Sequence, residues 1–253
     1  WSFLESRDGT IWIAAASLND RIDFLDPLQH QLPAFELEDE DGLLLSYVDL
    51  LEDRRGNLWL GTSQKVYQFD KNWSLLRVFQ YQPGAEDTML PGRIRTLYED
   101  SQSRIWIGKT TGINRYDPAT GQMTQYQHEQ NNPYSLIGND VDGFAEDAAG
   151  NIWITTTDGV SRWDTDSGKF YHFRHSPSSS NTLNANFTQV ITPDKDHHLW
   201  IGTIKGLCRL NPETSRFDNI DLGAVKAIWQ APDGKVWVGC QPGGLLRFDP
   251  ASW

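Results

Sequence analysis

The stretch Leu51-Glu-Asp-Arg-Arg-Gly-Asn-Leu-Trp59-Leu-Gly-Thr62 is the most informative about the fold, because close copies of it recur along the chain. Two clear copies are Tyr98-Glu-Asp-Ser-Gln-Ser-Arg-Ile-Trp106-Ile-Gly108 and Ala145-Glu-Asp-Ala-Ala-Gly-Asn-Ile-Trp153-Ile-Thr155. The central tryptophans are 47 residues apart through five copies and 37 apart before the sixth: Trp12, Trp59, Trp106, Trp153, Trp200 and Trp237. A fixed period of this size is typical of stacked supersecondary units.

The third copy shows what one unit contains. Short runs rich in β-branched and aromatic residues predict strands at 93–99, 104–108, 113–117 and 122–126, with turn residues between them. Four strands joined in this way form an antiparallel sheet with two apolar faces, and stacking such sheets around an axis buries both faces. The sequence therefore predicts an all-β fold, a β-propeller of four-stranded antiparallel blades, with the tryptophans packed between neighbouring blades.

The repeats also set the expected domain organisation. We expect one propeller over residues 1–253 with six blades, at about 1–37, 44–81, 91–128, 138–174, 186–221 and 223–253. The sequence stops shortly after Asp249-Pro250, before a fourth strand of the last repeat, so the last blade is predicted to be incomplete. Either a strand from outside this sequence completes it, or the chain is cut from a longer protein. We favour the second explanation, with seven blades in the parent protein.

Composition limits the classes of partner. The formal net charge is −12, and so acidic a surface repels phosphate backbones and anionic membranes, which argues against nucleic acid and membrane surfaces as partners. Only Cys208 and Cys240 are present, which excludes a disulfide-rich scaffold. The sequence contains no run of about 18 apolar residues and does not begin with a signal peptide. We therefore expect a soluble domain, with any export signal or membrane anchor outside this sequence.

Several joined submotifs resemble the two-component regulator propeller repeat. They are Trp59-Leu-Gly-Thr62, Trp200-Ile-Gly-Thr203, Gly112-Ile-Asn-Arg-Tyr-Asp-Pro118 and the linker Asn132-Pro-Tyr-Ser-Leu136. The first and fourth copies are weaker, because alanines follow Trp12-Ile and Thr155 stands in place of a glycine. The resemblance covers the whole chain.

The resemblance implies the sensor region of a bacterial membrane-spanning receptor, located in the periplasm, with a histidine kinase or a diguanylate cyclase as its output. In gut Bacteroides relatives the ligands are oligosaccharides, so the expected partner is a small polar ligand, with oligosaccharides as one candidate class. The membrane would be reached only through parts absent from this chain. We also expect self-association as a dimer.

No motif for catalysis or metal binding stands out. The pair His197-His198 occupies a predicted hairpin turn, and nothing in the sequence supplies further metal ligands. Glu52, Glu99 and Glu146, each followed by Asp, recur once per repeat, which favours a role in the hairpin over catalysis. We therefore expect no enzymatic activity, no cofactor and no metal. Two alternatives stay open: an enzyme of the streptogramin-lyase kind, which shares the phrase Asp8-Gly-Thr-Ile-Trp12, and a protein-interaction scaffold.

Positions that differ between repeats are the candidates for ligand binding. Eleven residues before each of the last four anchor tryptophans, on the predicted innermost strand, the sequence has a polar residue: Arg95, Asp142, Gln189 and Lys226. The first two repeats have Trp1 and Val48 at this position. Loops expected on one face of the propeller add Arg93, Lys109, Asn139, Asn186, Lys205 and Gln241. A sugar would suit these donors and acceptors beside an aromatic platform such as Tyr134 or Phe187. Lys65 replaces a turn glycine of the other repeats, which predicts a different turn in the second blade.

Overall fold

The computed structural model describes residues 2–7, 9–15, 21–25, 34–35, 47–85 and 88–252. These residues form β-strands and connecting turns, with a 3-10 turn at Pro250–Ser252 and no α-helix among them. The strands assemble into six antiparallel sheets, which confirms the predicted all-β class. The chain divides into two compact units, Trp1–Gln125 and Tyr126–Trp253, and the single domain over the whole chain stays a prediction.

The first unit holds three sheets, called blades 1 to 3, in which consecutive strands pair. Blade 1 consists of β1 (Ser2–Glu5), β2 (Ile11–Ala15), β3 (Arg21–Leu25) and β4 (Ala34–Phe35). Blade 2 consists of β5 (Tyr47–Glu52), β6 (Leu58–Thr62), β7 (Val66–Phe69) and β8 (Leu75–Phe79). Blade 3 consists of β9 (Ile94–Glu99), β10 (Ile105–Lys109), β11 (Gly112–Tyr116) and β12 (Met123–Tyr126).

The second unit holds blades 4 to 6 in the same meander order. Blade 4 consists of β13 (Val141–Glu146), β14 (Ile152–Thr156), β15 (Gly159–Trp163) and β16 (Phe170–Phe173). Blade 5 consists of β17 (Thr188–Pro193), β18 (Leu199–Thr203), β19 (Gly206–Asn211) and β20 (Arg216–Asp221). Blade 6 consists of β21 (Ala224–Gln230), β22 (Val236–Gln241) and β23 (Gly244–Phe248).

All six sheets fall within the predicted blade boundaries, and the strands of blade 3 agree with the prediction to within one residue at each end. Within the described part of the chain, blade 6 has three strands, and the seven-bladed parent protein stays a prediction. Trp1, the first-repeat counterpart of Arg95, lies outside the described residues.

Four of the six repeated tryptophans lie in the apolar layers that hold neighbouring blades together within each unit. Trp59 of blade 2 is completely buried and packs in one cluster with Ile94 and Leu97 of blade 3. Three others occupy equivalent clusters: Trp12, Trp153 and Trp200. Truncating so large a buried side chain to alanine typically costs about 3–5 kcal/mol, so these indoles account for much of the packing between blades.

The acidic pair before each tryptophan builds the hairpin between the first two strands of a blade. In blade 2, Asp53 Oδ1 accepts the backbone N–H groups of Arg55 and Asn57, and its Oδ2 accepts the indole N–H of Trp59 at 2.9 Å. The same indole bond occurs in three more blades, at Asp100–Trp106, Asp147–Trp153 and Asp194–Trp200. Glu52 and Glu99 each accept a backbone N–H from the hairpin of the preceding blade. In these blades the recurring carboxylates are therefore structural, as the repetition predicts.

The weak fourth repeat is explained by an exchange across one strand pair. In blades 2, 3, 5 and 6 a glycine of the second strand faces a larger residue of the first strand. In blade 4 the larger residue is Thr155, and it pairs with Gly143 of β13. A Cβ on Gly143 would lie 3.0 Å from Thr155 Oγ1, so the glycine has moved to the opposite strand to make room for the threonine.

Candidate ligand pocket between blades 2 and 3

Each first strand of blades 2 to 6 carries a β-bulge at the position where the sequence predicts ligand contacts. The register against the second strand skips Val48, Arg95, Asp142, Gln189 and Lys226. A bulge changes the direction in which a side chain points and is frequent near binding sites. In the second unit Lys226 Nζ donates a hydrogen bond to Gln189 Oε1 at 2.9 Å, so the structure brings two of these predicted residues together.

The linkers that precede blades 4 and 5 are closed by one recurring set of hydrogen bonds. In the second of them, the backbone N–H of His175 donates to Asn186 Oδ1 at 2.7 Å, and His175 Nδ1 lies 2.7 Å from the carbonyl oxygen of Leu183. The equivalent residues of the first are His128, Asn139 and Leu136. Asn139 and Asn186, both predicted as ligand contacts, therefore use their Oδ1 atoms to hold the linker.

The linker that precedes blade 3, residues 80–93, keeps the turn but lacks this closure. The N–H of Gln82 donates to Thr88 Oγ1 at 2.8 Å, as an equivalent N–H does in the closed linkers. Tyr81 stands at the histidine position and Gly92 at the asparagine position, so neither the imidazole nor the amide is available. Gly92 has a φ of +93°, and a Cβ there would lie 2.7 Å from the nearest side-chain carbon, so this conformation requires glycine. We call residues 80–93 the open linker.

The end of the second strand also differs in blade 3. Blades 2, 4 and 5 end this strand with a buried threonine whose hydroxyl donates to a carbonyl of the following turn: Thr62, Thr156 and Thr203. Blade 3 has Lys109 at this position, completely buried, and its Nζ donates to the carbonyl oxygen of Leu90. Burial lowers the pKa of Lys109 to about 8, because the ammonium loses its hydration.

The turn after the second strand of blade 2 differs from those of blades 3 and 4 but matches that of blade 5, where Gly206 also lacks a positive φ and its N–H donates to Thr203 Oγ1 at 3.1 Å. Gly112 and Gly159, which occupy this turn position in blades 3 and 4, have φ values of +132° and +130°. Lys65 does not adopt a positive φ, and its N–H donates instead to Thr62 Oγ1 at 3.1 Å. The side chain of Lys65 is half-buried and lines the space above the open linker.

These departures from the repeat meet in one cavity of about 290 Å³, which we call the cationic pocket. Its lining residues are Gln64, Lys65, Gln80, Tyr81, Pro91, Gly92, Arg93 and Lys109. The wall is built from the turn after β6, the residues after β8, the open linker and the end of β10. All of these segments belong to the first unit.

Three of the lining side chains are cationic, and none of the described lining residues is acidic. Within the part of the chain that the structure describes, Lys65, Arg93 and Lys109 make no ion pair, whereas Lys205 pairs with Asp221 at 3.5 Å. The whole chain carries a formal net charge of −12. The pocket is therefore a local concentration of positive charge on an acidic protein.

The sequence predicts two of the residues that line this pocket, Arg93 and Lys109. Others that it did not single out as ligand contacts are Gln64, Lys65, Gln80, Tyr81 and Gly92. Aligning the repeats at their 47-residue period would have identified two of them. In that alignment Tyr81 and Gly92 replace the histidine and the asparagine that close the other linkers. The remaining predicted residues lie elsewhere: Arg95, Asp142, Gln189 and Lys226 in the bulges, Asn139 and Asn186 in closed linkers, Lys205 in the turn of blade 5 beside a second cavity, and Gln241 at the end of β22.

A larger cavity of about 820 Å³ lies in the second unit, between residues 175–184 and β20. Its polar groups are largely engaged within the protein. Asn181 Oδ1 accepts the N–H of Phe217 at 2.7 Å, and Asn219 Nδ2 donates to the carbonyl oxygen of Thr182 at 2.8 Å. Since its amides already hold the closed linker to blade 5, this cavity is a weaker candidate site than the cationic pocket.

Four of the five described histidines use their rings to hold the backbone or a hairpin, and the fifth, His197, is exposed in the hairpin turn of blade 5. His172 Nε2 lies 2.7 Å from the carbonyl oxygen of Ser135, and His198 Nδ1 lies 3.7 Å from Asp194 Oδ1 in the hairpin of blade 5. Among the residues that the structure describes, no group of three or more His, Cys, Asp and Glu side chains is arranged to hold a metal ion. His30 lies outside those residues.

Blade 6 departs from the other blades at its anchor. Ala231 replaces the hairpin aspartate, and Trp237 is only half-buried. Trp237 lines an apolar surface hollow together with Trp229 and Leu245, which are 58% and 66% exposed. The sequence predicts Trp237 as a blade anchor, but the structure leaves it less buried than Trp59, Trp106, Trp153 and Trp200.

Comparison with known proteins agrees with the repeat pattern. A model of the two component regulator propeller family matches residues 44–64, 88–108 and 135–158. In these three segments the chain is similar to the two-component regulator propeller repeat. The matched segments end at or just after the second strand of blades 2, 3 and 4, where the repeated tryptophan and its hairpin lie. No curated protein sequence matches the chain significantly.

Solved structures confirm the β-propeller fold. The extracellular domain of a hybrid two-component system from B. thetaiotaomicron is 20% identical with a TM-score of 0.82, and the match covers 99% of this chain and 33% of that one. A second extracellular domain from B. thetaiotaomicron, of a one-component system, is 20% identical with a TM-score of 0.64, covering 98% and 41%. Virginiamycin B lyase from Staphylococcus aureus is 15% identical with a TM-score of 0.72, covering 98% and 83%. Among the described residues of this propeller, no helix is long and apolar enough to cross a membrane.

Proposed function

We propose that this propeller is the ligand-sensing part of a bacterial signalling receptor, that it works outside the cytoplasm, and that the cationic pocket takes its ligand. The support is the match to two-component regulator propeller repeats and the similarity of fold to extracellular domains of two-component and one-component systems. The chain spans a third of the first of those domains, so output, partners and location all belong to the proposal.

One observation supports the pocket as the ligand site. Residues that repeat in every blade build hairpins and packing layers, whereas the residues that break the repeat at Lys65, Tyr81, Gly92 and Lys109 all line one cavity. Four independent departures that meet at one place are expected of a specific site and are not needed for folding. With a volume of about 290 Å³ the pocket is at the small end of ligand sites, so it fits one sugar unit or a molecule of similar size.

The ligand is proposed to be small and polar, with an oligosaccharide whose terminal unit enters the pocket as one candidate class. Gln64 and Gln80 offer amide donors and acceptors for hydroxyl groups, and Tyr81, which is 44% exposed, offers an aromatic ring at the rim. Sensing would follow if the ligand favours one of two arrangements of associated propellers and so biases a distant output domain.

The proposal makes the chain a binding protein and not an enzyme. The rival enzymatic function rests on a fold shared with virginiamycin B lyase at 15% identity. It is disfavoured because the described histidines contact backbone carbonyls or the blade 5 hairpin and do not line the cationic pocket. Hydrolysis or elimination of a bound ligand over hours, measured by mass spectrometry, would support the rival.

The experiment replaces the departures by residues that the same chain uses in its other repeats. Thermal-shift and calorimetric measurements would compare the wild type with a Lys65→Gly, Tyr81→His and Lys109→Thr variant against a panel of neutral and acidic mono- and oligosaccharides. We expect ligands that raise the melting temperature of the wild type to lose at least about tenfold in affinity for the variant, since the charged contacts are removed.

The matched control is Lys195→Gln, which removes one exposed positive charge in the second unit, away from both cavities. It should bind like the wild type. Equal binding by the triple variant would show that the site lies elsewhere, and no response to any member of the panel would contradict the proposed sugar-sensing function. The receptor assignment is tested separately by the reading frame that encodes this chain, which should also encode a membrane-spanning segment and a kinase or cyclase.

A further inference from the structure

Lys109 carries a buried ammonium with few hydrogen-bond acceptors around it. Its side chain is completely buried, and the carbonyl oxygen of Leu90 is the hydrogen-bond acceptor that it has. An ammonium has three N–H donors, and a buried charge is costly unless it is paired or fully hydrogen-bonded. Two donors of a buried cation are therefore left without a protein acceptor at the edge of a cavity.

The pocket has two further cationic side chains. Lys65 and Arg93 line the same cavity, and within the described residues neither has an acidic partner. Three cationic side chains therefore line about 290 Å³ without an acidic partner among the described residues, so an anion in the cavity would meet positive charge from several sides. Burial already lowers the pKa of Lys109 to about 8.

The repeat itself shows that folding does not require this arrangement. Blades 2, 4 and 5 satisfy the same strand end with a buried threonine that bonds to its own turn. The threonine avoids a buried charge, yet blade 3 has a lysine. A costly group that the scaffold does not need is best explained by a ligand that compensates its charge.

The remaining lining groups describe the rest of the ligand. The amides of Gln64 and Gln80 can hydrogen-bond hydroxyl groups, and the ring faces of Tyr81 and Pro91 can pack against C–H groups. The described wall therefore combines a cationic floor with sides suited to a small, hydroxylated body.

We propose that the cationic pocket binds an anionic oxygen group, a carboxylate or a sulfate, carried by a hydroxylated molecule about the size of one sugar unit, with Lys109 and Arg93 as its charged contacts. This rests on the proposed function, because it specifies the ligand of the same pocket. Lys109 would supply the buried charge-assisted hydrogen bond, and Arg93 would supply the planar guanidinium that fits two oxygens at once.

The test is isothermal titration calorimetry at low ionic strength, below the pKa of Lys109. The probes are glucuronate and galacturonate for the carboxylate, glucose 6-sulfate for the sulfate, and glucose and galactose as neutral counterparts. We expect at least one acidic probe to bind about tenfold or more tightly than its neutral counterpart, since a hydrogen bond to a charged group is the stronger kind.

Variants identify the groups responsible. Lys109→Met keeps the length of the side chain and should reduce affinity for the acidic probe by about tenfold or more, while leaving affinity for a neutral sugar unchanged. Arg93→Gln changes an exposed residue, so it keeps the proposal testable even if Lys109→Met fails to fold, and we expect a loss of about threefold to tenfold. Lys195→Gln, an exposed position in the second unit, should bind every probe like the wild type.

The outcomes separate this inference from the proposed function. Tighter binding of a carboxylate or of a sulfate that is lost in both variants supports the inference and identifies the anion. Neutral sugars that bind as tightly as their acidic counterparts, with Arg93→Gln unchanged, overturn it while the sensing function stands. No binding of any probe at millimolar concentration overturns the inference, and if longer oligosaccharides then also fail, the proposed function fails with it.

Discussion

The open linker before blade 3 and the closed linker before blade 5 share one turn but differ in the hydrogen bonds that close the loop. Both keep a turn in which a backbone N–H donates to a threonine hydroxyl. In the closed linker His175 and Asn186 complete the loop with two more bonds at 2.7 Å. In the open linker Tyr81 and Gly92 make neither bond, and a cavity of about 290 Å³ lies there instead.

This contrast shows which positions of a repeat protein can change to form a binding site without loss of the fold. Residues that recur in every blade are committed to packing and hairpin bonds, so changing them endangers the fold. Residues that close a surface linker contribute about one hydrogen bond each, so they can be exchanged at modest cost in stability. The open linker lacks these bonds, and beside it a buried lysine, Lys109, occupies the position at which blades 2, 4 and 5 have a threonine.

The largest expected effect concerns the charge of Lys109. Its folded-state pKa of about 8 lies below the usual value for lysine, so between those two pH values the unfolded chain binds a proton that the folded chain does not. The free energy of unfolding should therefore rise with pH across this window, by about 3 kcal/mol in total. Urea unfolding at a series of pH values measures the rise.

The control for this measurement is Lys109→Met, because Lys65, Arg93 and Tyr81, the other titratable or charged groups that line the pocket, are unchanged in it. The difference between wild type and variant isolates Lys109. A difference that does not change with pH through this window would show that the ammonium is well solvated, and that the closed and open junctions do not differ in buried charge.

A smaller effect is expected from breaking the closed linker. Asn186→Ala removes the acceptor of the His175 N–H and leaves that donor without its partner, so it should lower the free energy of unfolding by about 1–2 kcal/mol. Tyr81→Phe is the matched change in the open linker. It removes a hydroxyl for which the structure gives no bond to the linker, and should stay within about 0.5 kcal/mol of the wild type. Equal losses in both variants would remove the distinction between the two linkers.

The sequence was sufficient to predict the blades, because the residues that build each blade recur at a regular spacing. The period, the hairpin aspartates and the tryptophans predict the blades, and Trp59 with Asp53 shows both roles in one contact of 2.9 Å. The exchange between Thr155 and Gly143 could not be foreseen, because it depends on which residues face each other across two strands.

The site was harder to predict, because polarity in a loop does not reveal what the polar group contacts. Asn139 and Asn186 are polar loop residues, as a ligand contact would be, yet each holds its own linker. Tyr81 and Gly92 indicate a linker without the closing hydrogen bonds. This can be recognised only once the bonds of their counterparts His175 and Asn186 are known. Lys109 is predicted as a ligand contact from its position in the repeat alone, and nothing in the sequence indicates that it is buried beside a backbone carbonyl.

The smallest expected effect comes from closing the open linker by a single substitution. Tyr81→His places an imidazole where His128 and His175 stand, within the same turn, and its Nδ1 would face the carbonyl of Met89 as theirs face Leu136 and Leu183. One net hydrogen bond should raise the free energy of unfolding by about 0.5–1 kcal/mol, measured by urea unfolding. The bond forms only if the open linker has the backbone path of the closed ones despite Gly92. A gain of stability would therefore show that the two linkers differ by side chains alone, whereas a loss would show that the backbone of the open linker has also been reshaped.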